Sequence, residues 1–201
     1  MRLLHVRAIA IAMLAFCCAS ASVPALEPVA VITEFNTALV DLMRTAKGLT
    51  FDQRVERIEG PVTNTFDLRA LALIALGSHA RKQTETDISR YLDAFSTLVV
   101  NTYAARFTDF GGESFVVDGQ RPARRGRMLV TSRIVRPAGA DVRLNYLLQL
   151  TDNSEWRVVN VVAEGVSEIA IRRAEYDALL RRAGIAELID ALVEQTRHLR
   201  E

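Results

Sequence analysis

The chain has 201 residues and a formal net charge of +1, with 25 lysine and arginine side chains against 24 aspartate and glutamate side chains. This near balance argues against nucleic acid as the main partner, because proteins that bind nucleic acid through its phosphates carry a marked basic excess. Half of the residues are hydrophobic. The length predicts one domain plus an N-terminal segment, and such a domain can fold on its hydrophobic core alone.

The N-terminal segment has the features of a cleavable signal peptide. A basic start precedes an apolar run, residues 8–16, that is too short for a stable membrane anchor. Small residues then offer cleavage sites after Ala21 and after Ala25. We therefore predict a signal peptide over residues 1–25, export of the protein, and a single mature domain over residues 26–201.

Both cysteines, Cys17 and Cys18, fall within this segment, so the mature chain is expected to contain none. Disulfides, thiolate catalysis and cysteine-ligated zinc are thereby excluded from the mature domain. Lipid modification of a cysteine requires a small residue before it, whereas Phe16 precedes Cys17. The sequence therefore disfavours a lipoprotein.

Helical spacing of apolar residues dominates the first half of the mature chain. Four helices are predicted there: residues 28–46, a segment after Thr50, residues 68–75 and residues 85–106. Thr50, Asp67 and Thr84 can cap the second, third and fourth of these helices. Gly60 and Pro61 predict a break or kink in the second helix.

The pattern then changes to the two-residue alternation of β-strands. Four strands are predicted: residues 115–117, 128–136, 142–150 and 156–163. Two helices, residues 172–183 and 185–199, follow and are separated by Gly184. Because the strands have short connections, they are expected to pair antiparallel. This order predicts an α+β fold: a curved antiparallel sheet of about four strands, with N- and C-terminal helices packed on it around an apolar cavity.

No catalytic constellation stands out in the sequence. It contains no P-loop, no zinc-protease motif, no serine elbow and no dinucleotide fingerprint. We expect His198 to interact with the dipole at the end of the last helix. His79 lies between two helices and is expected to be a surface or packing residue, with a general base as the alternative. The sequence thus predicts no enzyme, no cofactor and no metal site.

Six arginines lie around the turn between two strands: Arg121, Arg124, Arg125, Arg127, Arg133 and Arg136. The first four are the candidates for docking a partner. We refer to them as the arginine cluster. Two interpretations carry equal weight. The cluster is either a solvated strand edge that discourages aggregation, or a docking surface for an acidic partner or anionic lipid headgroups.

Several segments, taken together, resemble a known family. They are Phe66-Asp67, residues 75–81, Phe95, residues 102–104, residues 156–161 and residues 164–167. In this order and spacing behind a signal peptide, they resemble the MlaC-like components of periplasmic lipid transport. Residues 167–176 depart from MlaC itself and, with residues 107–115, look more like the hopanoid-associated HpnM branch. The ligand implied by the resemblance is accordingly a phospholipid or a hopanoid-type lipid.

The resemblance implies a periplasmic shuttle that does not span a membrane and performs no covalent chemistry. Such a shuttle would bury lipid tails between sheet and helices, and would dock on an inner-membrane lipid transporter and an outer-membrane acceptor. Apolar stripes select the residues expected to line its pocket: Leu92, Phe95, Val99, Tyr103, Leu144, Tyr146, Trp156, Val158, Ile169, Tyr176 and Leu188. Two alternatives remain open, a periplasmic enzyme acting on envelope lipid or sugar through His79, and an adaptor that docks through the arginine cluster.

Overall fold

The structure is a computed structural model that describes residues 27–201. The predicted signal peptide, residues 1–25, lies outside the described residues. The helices and strands follow in this order: α1 (Pro28–Thr45), α2 (Phe51–Thr65), α3 (Leu68–Leu76), α4 (Glu85–Arg106), β1 (Ser114–Ala123), β2 (Arg127–Val135), β3 (Val142–Leu150), β4 (Trp156–Ala163), β5 (Val166–Ser167) and α5 (Glu168–His198). None of the helices in this part of the chain is both long and apolar enough to cross a membrane.

The five strands form one antiparallel sheet in the order β1-β2-β3-β4-β5. The predicted α+β fold with an antiparallel sheet is confirmed. The two-residue strand β5 adds a fifth strand to the four expected. Strand β1 is also longer than predicted, because polar residues interrupt the alternation after Val117 although pairing with β2 continues to Ala123.

Three of the helices begin at the caps that the sequence indicated. The side chains of Thr50, Asp67 and Thr84 each accept a hydrogen bond from a backbone amide three residues on. Of the break or kink predicted at Gly60 and Pro61, the break was wrong, since α2 continues through both residues. Apolar residues on either side of Pro61 are completely buried, and this packing outweighs the one backbone hydrogen bond that proline removes.

Helix α5 begins at Glu168, four residues earlier than expected. Ser167 caps it, since the hydroxyl accepts a hydrogen bond from the amide of Ala170 at 3.3 Å. The predicted interruption at Gly184 is confirmed: this residue has φ 82° and ψ −175°, which no helix tolerates. A positive φ of this kind favours glycine because the residue has no Cβ.

The hydrophobic core lies between one face of the sheet and the helices. Buried residues of β2 and β3 alternate along each strand, and the pair Val130–Tyr146 joins the two strands on that face. Phe35 of α1, Phe95 of α4 and Leu188 of α5 complete this core, and each is at most 1% exposed. The start of α5 follows β5 directly and therefore lies at the edge of the same sheet.

Candidate functional site

An apolar cavity of about 240 Å³ lies between the sheet and helices α4 and α5. Helix α4 provides one wall, strands β1 to β4 provide the opposite wall, and the first turns of α5 complete the lining. Phe66 and Leu71, which flank the start of α3, also contribute to the apolar surface. A space with these walls suits a hydrocarbon ligand.

Six of the eleven residues selected from the sequence lie together in the lining of this cavity: Phe95, Val99, Tyr103, Leu144, Tyr146 and Ile169. The other five lie elsewhere. Val158, Tyr176 and Leu188 are buried in the core, and Leu92 is half-buried against it. Trp156 lines a separate, more open groove of about 700 Å³ that is formed by α1, α2 and the loop before β4.

On strand β4, the cavity is lined by Val161 and Ala163 rather than by Trp156 and Val158. A bulge brings Val161 and Ala163 onto this face of the sheet, because Leu147 pairs with Asn160 while Leu148 pairs with Val158. The extra residue, Val159, shifts the alternation by one position, so side chains beyond it change face. Strict alternation in the sequence gives no sign of this bulge.

Charged side chains form part of the lining, which is otherwise apolar. Arg106, at the end of α4, lies 3.5 Å from the carboxylate of Glu168, and both side chains are exposed. The guanidinium of Arg172 lies 5.9 Å from the ring centre of Phe95 and donates a hydrogen bond to the hydroxyl of Tyr176 at 3.5 Å. We refer to Arg106, Glu168 and Arg172 as the charged rim. The exposed pair of Arg106 and Glu168 contributes little to stability, so these side chains can exchange their contact for one with a ligand.

Two tyrosines of the cavity stay neutral over a wide pH range. Burial raises the pKa of Tyr103 well above its ordinary value, and the nearby Tyr146 and Glu168 add to this effect. Burial likewise raises the pKa of Tyr146, with a smaller contribution from Glu168. Desolvation disfavours the charged phenolate, so both hydroxyls are hydrogen-bond donors at neutral pH.

Because its tyrosines are buried, the protein is expected to lose stability in alkaline solution. Burial is the largest cause of a raised pKa at all four tyrosines: Tyr91, Tyr103, Tyr146 and Tyr176. Unfolded tyrosines ionise near pH 10.0 and the folded ones only at higher pH. Their ionisation therefore leaves the free energy of unfolding unchanged below pH 10 and lowers it above that pH.

We expect a spectroscopic titration to show no tyrosinate absorbance until the circular dichroism signal of the fold is lost. Tyrosinate that appears near pH 10 in a chain with native circular dichroism would contradict the burial of these rings.

His79 lies outside the lining of the cavity, in a 3-10 turn that joins α3 to α4. Its Nε2 atom is 2.8 Å from Oδ1 of Asp177, and the other carboxylate oxygen of Asp177 pairs with Arg181 at 2.8 Å. The hydrogen bond with His79 is the largest cause of the lowered pKa of Asp177. These contacts link the turn to α5, which is the packing role that the sequence favoured for His79.

The arginine cluster occupies the tip of the hairpin between β1 and β2. Arg121, Arg124 and Arg125 are exposed, whereas Arg127 is half-buried and donates a hydrogen bond to Gln149 at 3.4 Å. Strand β1 reaches the cavity at Phe115, eight residues before the hairpin tip. The cluster is closer to the cavity on the side of β2 and β3, because Val130, three residues after Arg127, pairs with the cavity residue Tyr146. At about 3.3 Å per residue, Arg127 therefore lies about 10 Å along β2 from that pair.

Comparison with known proteins places this architecture in a family. A family model described as "MlaC protein" matches residues 33–194. The chain belongs to the MlaC family. The matched range includes every residue that lines the cavity. Membership agrees with the resemblance drawn from the short segments of the sequence.

A solved structure has a similar fold. It is a phospholipid-binding protein from Ralstonia solanacearum in complex with a phospholipid, with a TM-score of 0.76 and 17% sequence identity. The similarity covers 88% of this MlaC-family chain and 100% of the other one. At this level of identity, the comparison shows that the two proteins share a fold.

Proposed function

We propose that this MlaC-family protein is a periplasmic lipid carrier that binds a lipid in the cavity and moves it between the inner and outer membranes. The observation that carries the proposal is the combination of an apolar cavity and a charged rim, which matches a molecule with apolar tails and a polar head. The phospholipid held by the Ralstonia solanacearum protein supports a phospholipid as ligand. A hopanoid-type lipid is the alternative, because residues 167–176 resemble the HpnM branch.

The cavity must widen to admit a whole lipid tail. Its volume of about 240 Å³ is below the ~300–1,000 Å³ that is typical of ligand pockets. An empty cavity of this size costs at most roughly 6 kcal/mol, a large part of the ~5–15 kcal/mol that stabilises a domain. Burial of a sixteen-carbon chain is worth on the order of 12 kcal/mol. Lipid binding can therefore supply the free energy that opens the cavity further.

Uptake and delivery can be followed with vesicles. The mature protein, stripped of lipid, would be incubated with donor vesicles that contain a labelled phospholipid, separated from them, and then mixed with unlabelled acceptor vesicles. We expect about one labelled lipid per protein after the first step and label in the acceptor vesicles after the second. Protein that acquires no label would contradict lipid binding, whereas protein that acquires label and never releases it would contradict carriage.

We further propose that the arginine cluster is the surface through which the carrier docks on an acidic region of its membrane partners. None of its arginines lines the cavity, so docking and lipid binding can be tested separately by mutation. The inner-membrane transporter and the outer-membrane acceptor implied by the family are the expected partners. Electrostatic attraction of this kind weakens as salt is added.

Replacing Arg124 and Arg125 with glutamate is expected to reduce co-sedimentation of the protein with isolated envelope membranes severalfold and to leave its lipid content unchanged. Arg69→Glu with Arg182→Glu is the matched control, because it changes the net charge equally at exposed positions outside the cluster. Equal sedimentation of the two double variants would show that the cluster is only a solvated strand edge.

A further inference from the structure

The four tyrosine hydroxyls of the protein fall into two groups. The hydroxyl of Tyr91 donates a hydrogen bond to the carbonyl of Ala72 at 3.0 Å, and that of Tyr176 accepts one from Arg172. Over residues 27–201, the hydroxyls of Tyr103 and Tyr146 have no hydrogen-bond partner, and both side chains line the cavity. Neither oxygen is among the fully buried unpaired atoms of the described residues, so both hydroxyls are open to the cavity and can bond to a ligand there.

The ring of Tyr103 cannot swing away to find a partner elsewhere. It meets the ring of Phe35 edge-on with centroids 5.3 Å apart, and it stacks on Phe107 at 5.8 Å. Phe66 packs against the same ring at 5.6 Å. Three aromatic contacts therefore fix its position, and its hydroxyl remains at the cavity.

The sheet fixes the position of Tyr146. This residue lies in the middle of β3, between Val130 of β2 and Val161 of β4, and is only 3% exposed. Tyr103, Tyr146 and Glu168 line the same cavity, and the charge of Glu168 contributes to the raised pKa of both tyrosines. Both phenols are therefore presented to one ligand.

A ligand that fills the cavity also displaces any water from these hydroxyls, so it must offer acceptors in exchange. A pure hydrocarbon offers none and would leave two buried donors unpaired. An anionic group among the apolar walls would lose its hydration without an ion partner, whereas Arg106 and Arg172 of the charged rim can pair with one. A neutral carbonyl at the head of an apolar tail satisfies both conditions.

We propose that Tyr103 and Tyr146 donate hydrogen bonds to the ester carbonyl oxygens of an acyl-ester lipid. The inference rests on the proposed function and narrows its ligand from any lipid to one whose tails are attached through esters. The apolar walls hold the tails, the two phenols bind the carbonyls where the tails begin, and the phosphate lies at the charged rim. Polycyclic tails without carbonyls are bound less well by this arrangement.

The test compares a diacyl phosphatidylglycerol with its dialkyl ether analogue, which has the same headgroup and chain lengths but no carbonyls. The wild-type protein is expected to bind the diacyl lipid at least about tenfold more tightly, since one unpaired hydroxyl corresponds to roughly a factor of ten. The double variant Tyr103→Phe, Tyr146→Phe is expected to bind both lipids with similar affinity, close to that of wild type for the ether lipid.

Two further readouts keep this inference separate from the proposed function. The variant Tyr91→Phe also loses a tyrosine hydroxyl, but one bonded within the core, and is expected to keep the preference for the diacyl lipid. The lipid-free double variant is expected to be at least as stable to heat as wild type, because it loses only unpaired hydroxyls.

A wild-type protein that binds both lipids equally would overturn the inference alone. Failure to bind either lipid would overturn the proposed function and the inference with it.

Discussion

Replacing Val99 with glutamate is expected to abolish lipid binding and to leave the protein folded. Val99 lies on α4, lines the cavity and is 9% exposed. A carboxylate at this position stays ionised only if water enters the cavity, and removing that water to admit a lipid tail costs several kcal/mol. The affinity for lipid should therefore fall at least about a hundredfold, as measured by lipid extracted per folded protein.

The matched control for this variant is Thr97→Glu, which adds the same charge to an exposed position on the same helix. It is expected to retain its lipid. Ala163→Trp provides a second, uncharged block, because Ala163 lines the cavity from β4 and an indole ring would occupy the space of a tail. Lipid contents equal to wild type in folded Val99→Glu and Ala163→Trp would show that the ligand binds elsewhere.

Replacing Leu188 with alanine is expected to produce the opposite pattern, a large loss of stability without loss of lipid from the folded protein. Leu188 is 1% exposed and lies in the core rather than in the cavity lining. Truncation of a buried leucine costs ~2–5 kcal/mol, so the melting temperature should fall by roughly 5–15 °C in a domain of this size. Thermal unfolding and lipid extraction measure the two effects separately.

Val193→Ala is the appropriate control for Leu188→Ala, because Val193 lies on the same helix and is 57% exposed. Its melting temperature is expected to stay within a degree or two of wild type. If Leu188→Ala lost its lipid at temperatures where it remains folded, Leu188 would contact the ligand and the cavity would extend further along α5.

Sequence patterns located the regular elements well where local chemistry alone determines them. The bounds of α4 match the prediction because Thr84 caps the helix, and those of β3 and β4 match because turn residues flank alternating runs. The extent of β1 depends instead on pairing with β2, which its own polar residues do not show. Packing across elements likewise decided that α2 passes through Pro61.

The residues that line the cavity were harder to predict. A periodic apolar pattern shows that a residue is buried, but not whether it faces the cavity or packs in the core. Phe95 and Tyr176 carry the same signal in the sequence, yet Phe95 lines the cavity and Tyr176 does not. The bulge at Val159 changes which residues of β4 face the helices. The charged rim gave no signal either, since Arg106 and Glu168 look like ordinary solvated residues at helix ends.

Native mass spectrometry of the protein, purified gently from a source that makes its own lipids, would decide whether the cavity holds a lipid. We expect one bound lipid per chain, identified after extraction as a phospholipid or a hopanoid-type lipid, and its absence from Val99→Glu prepared in parallel. A mass without ligand, combined with no uptake from added lipid, would contradict the proposal that this protein is a lipid carrier.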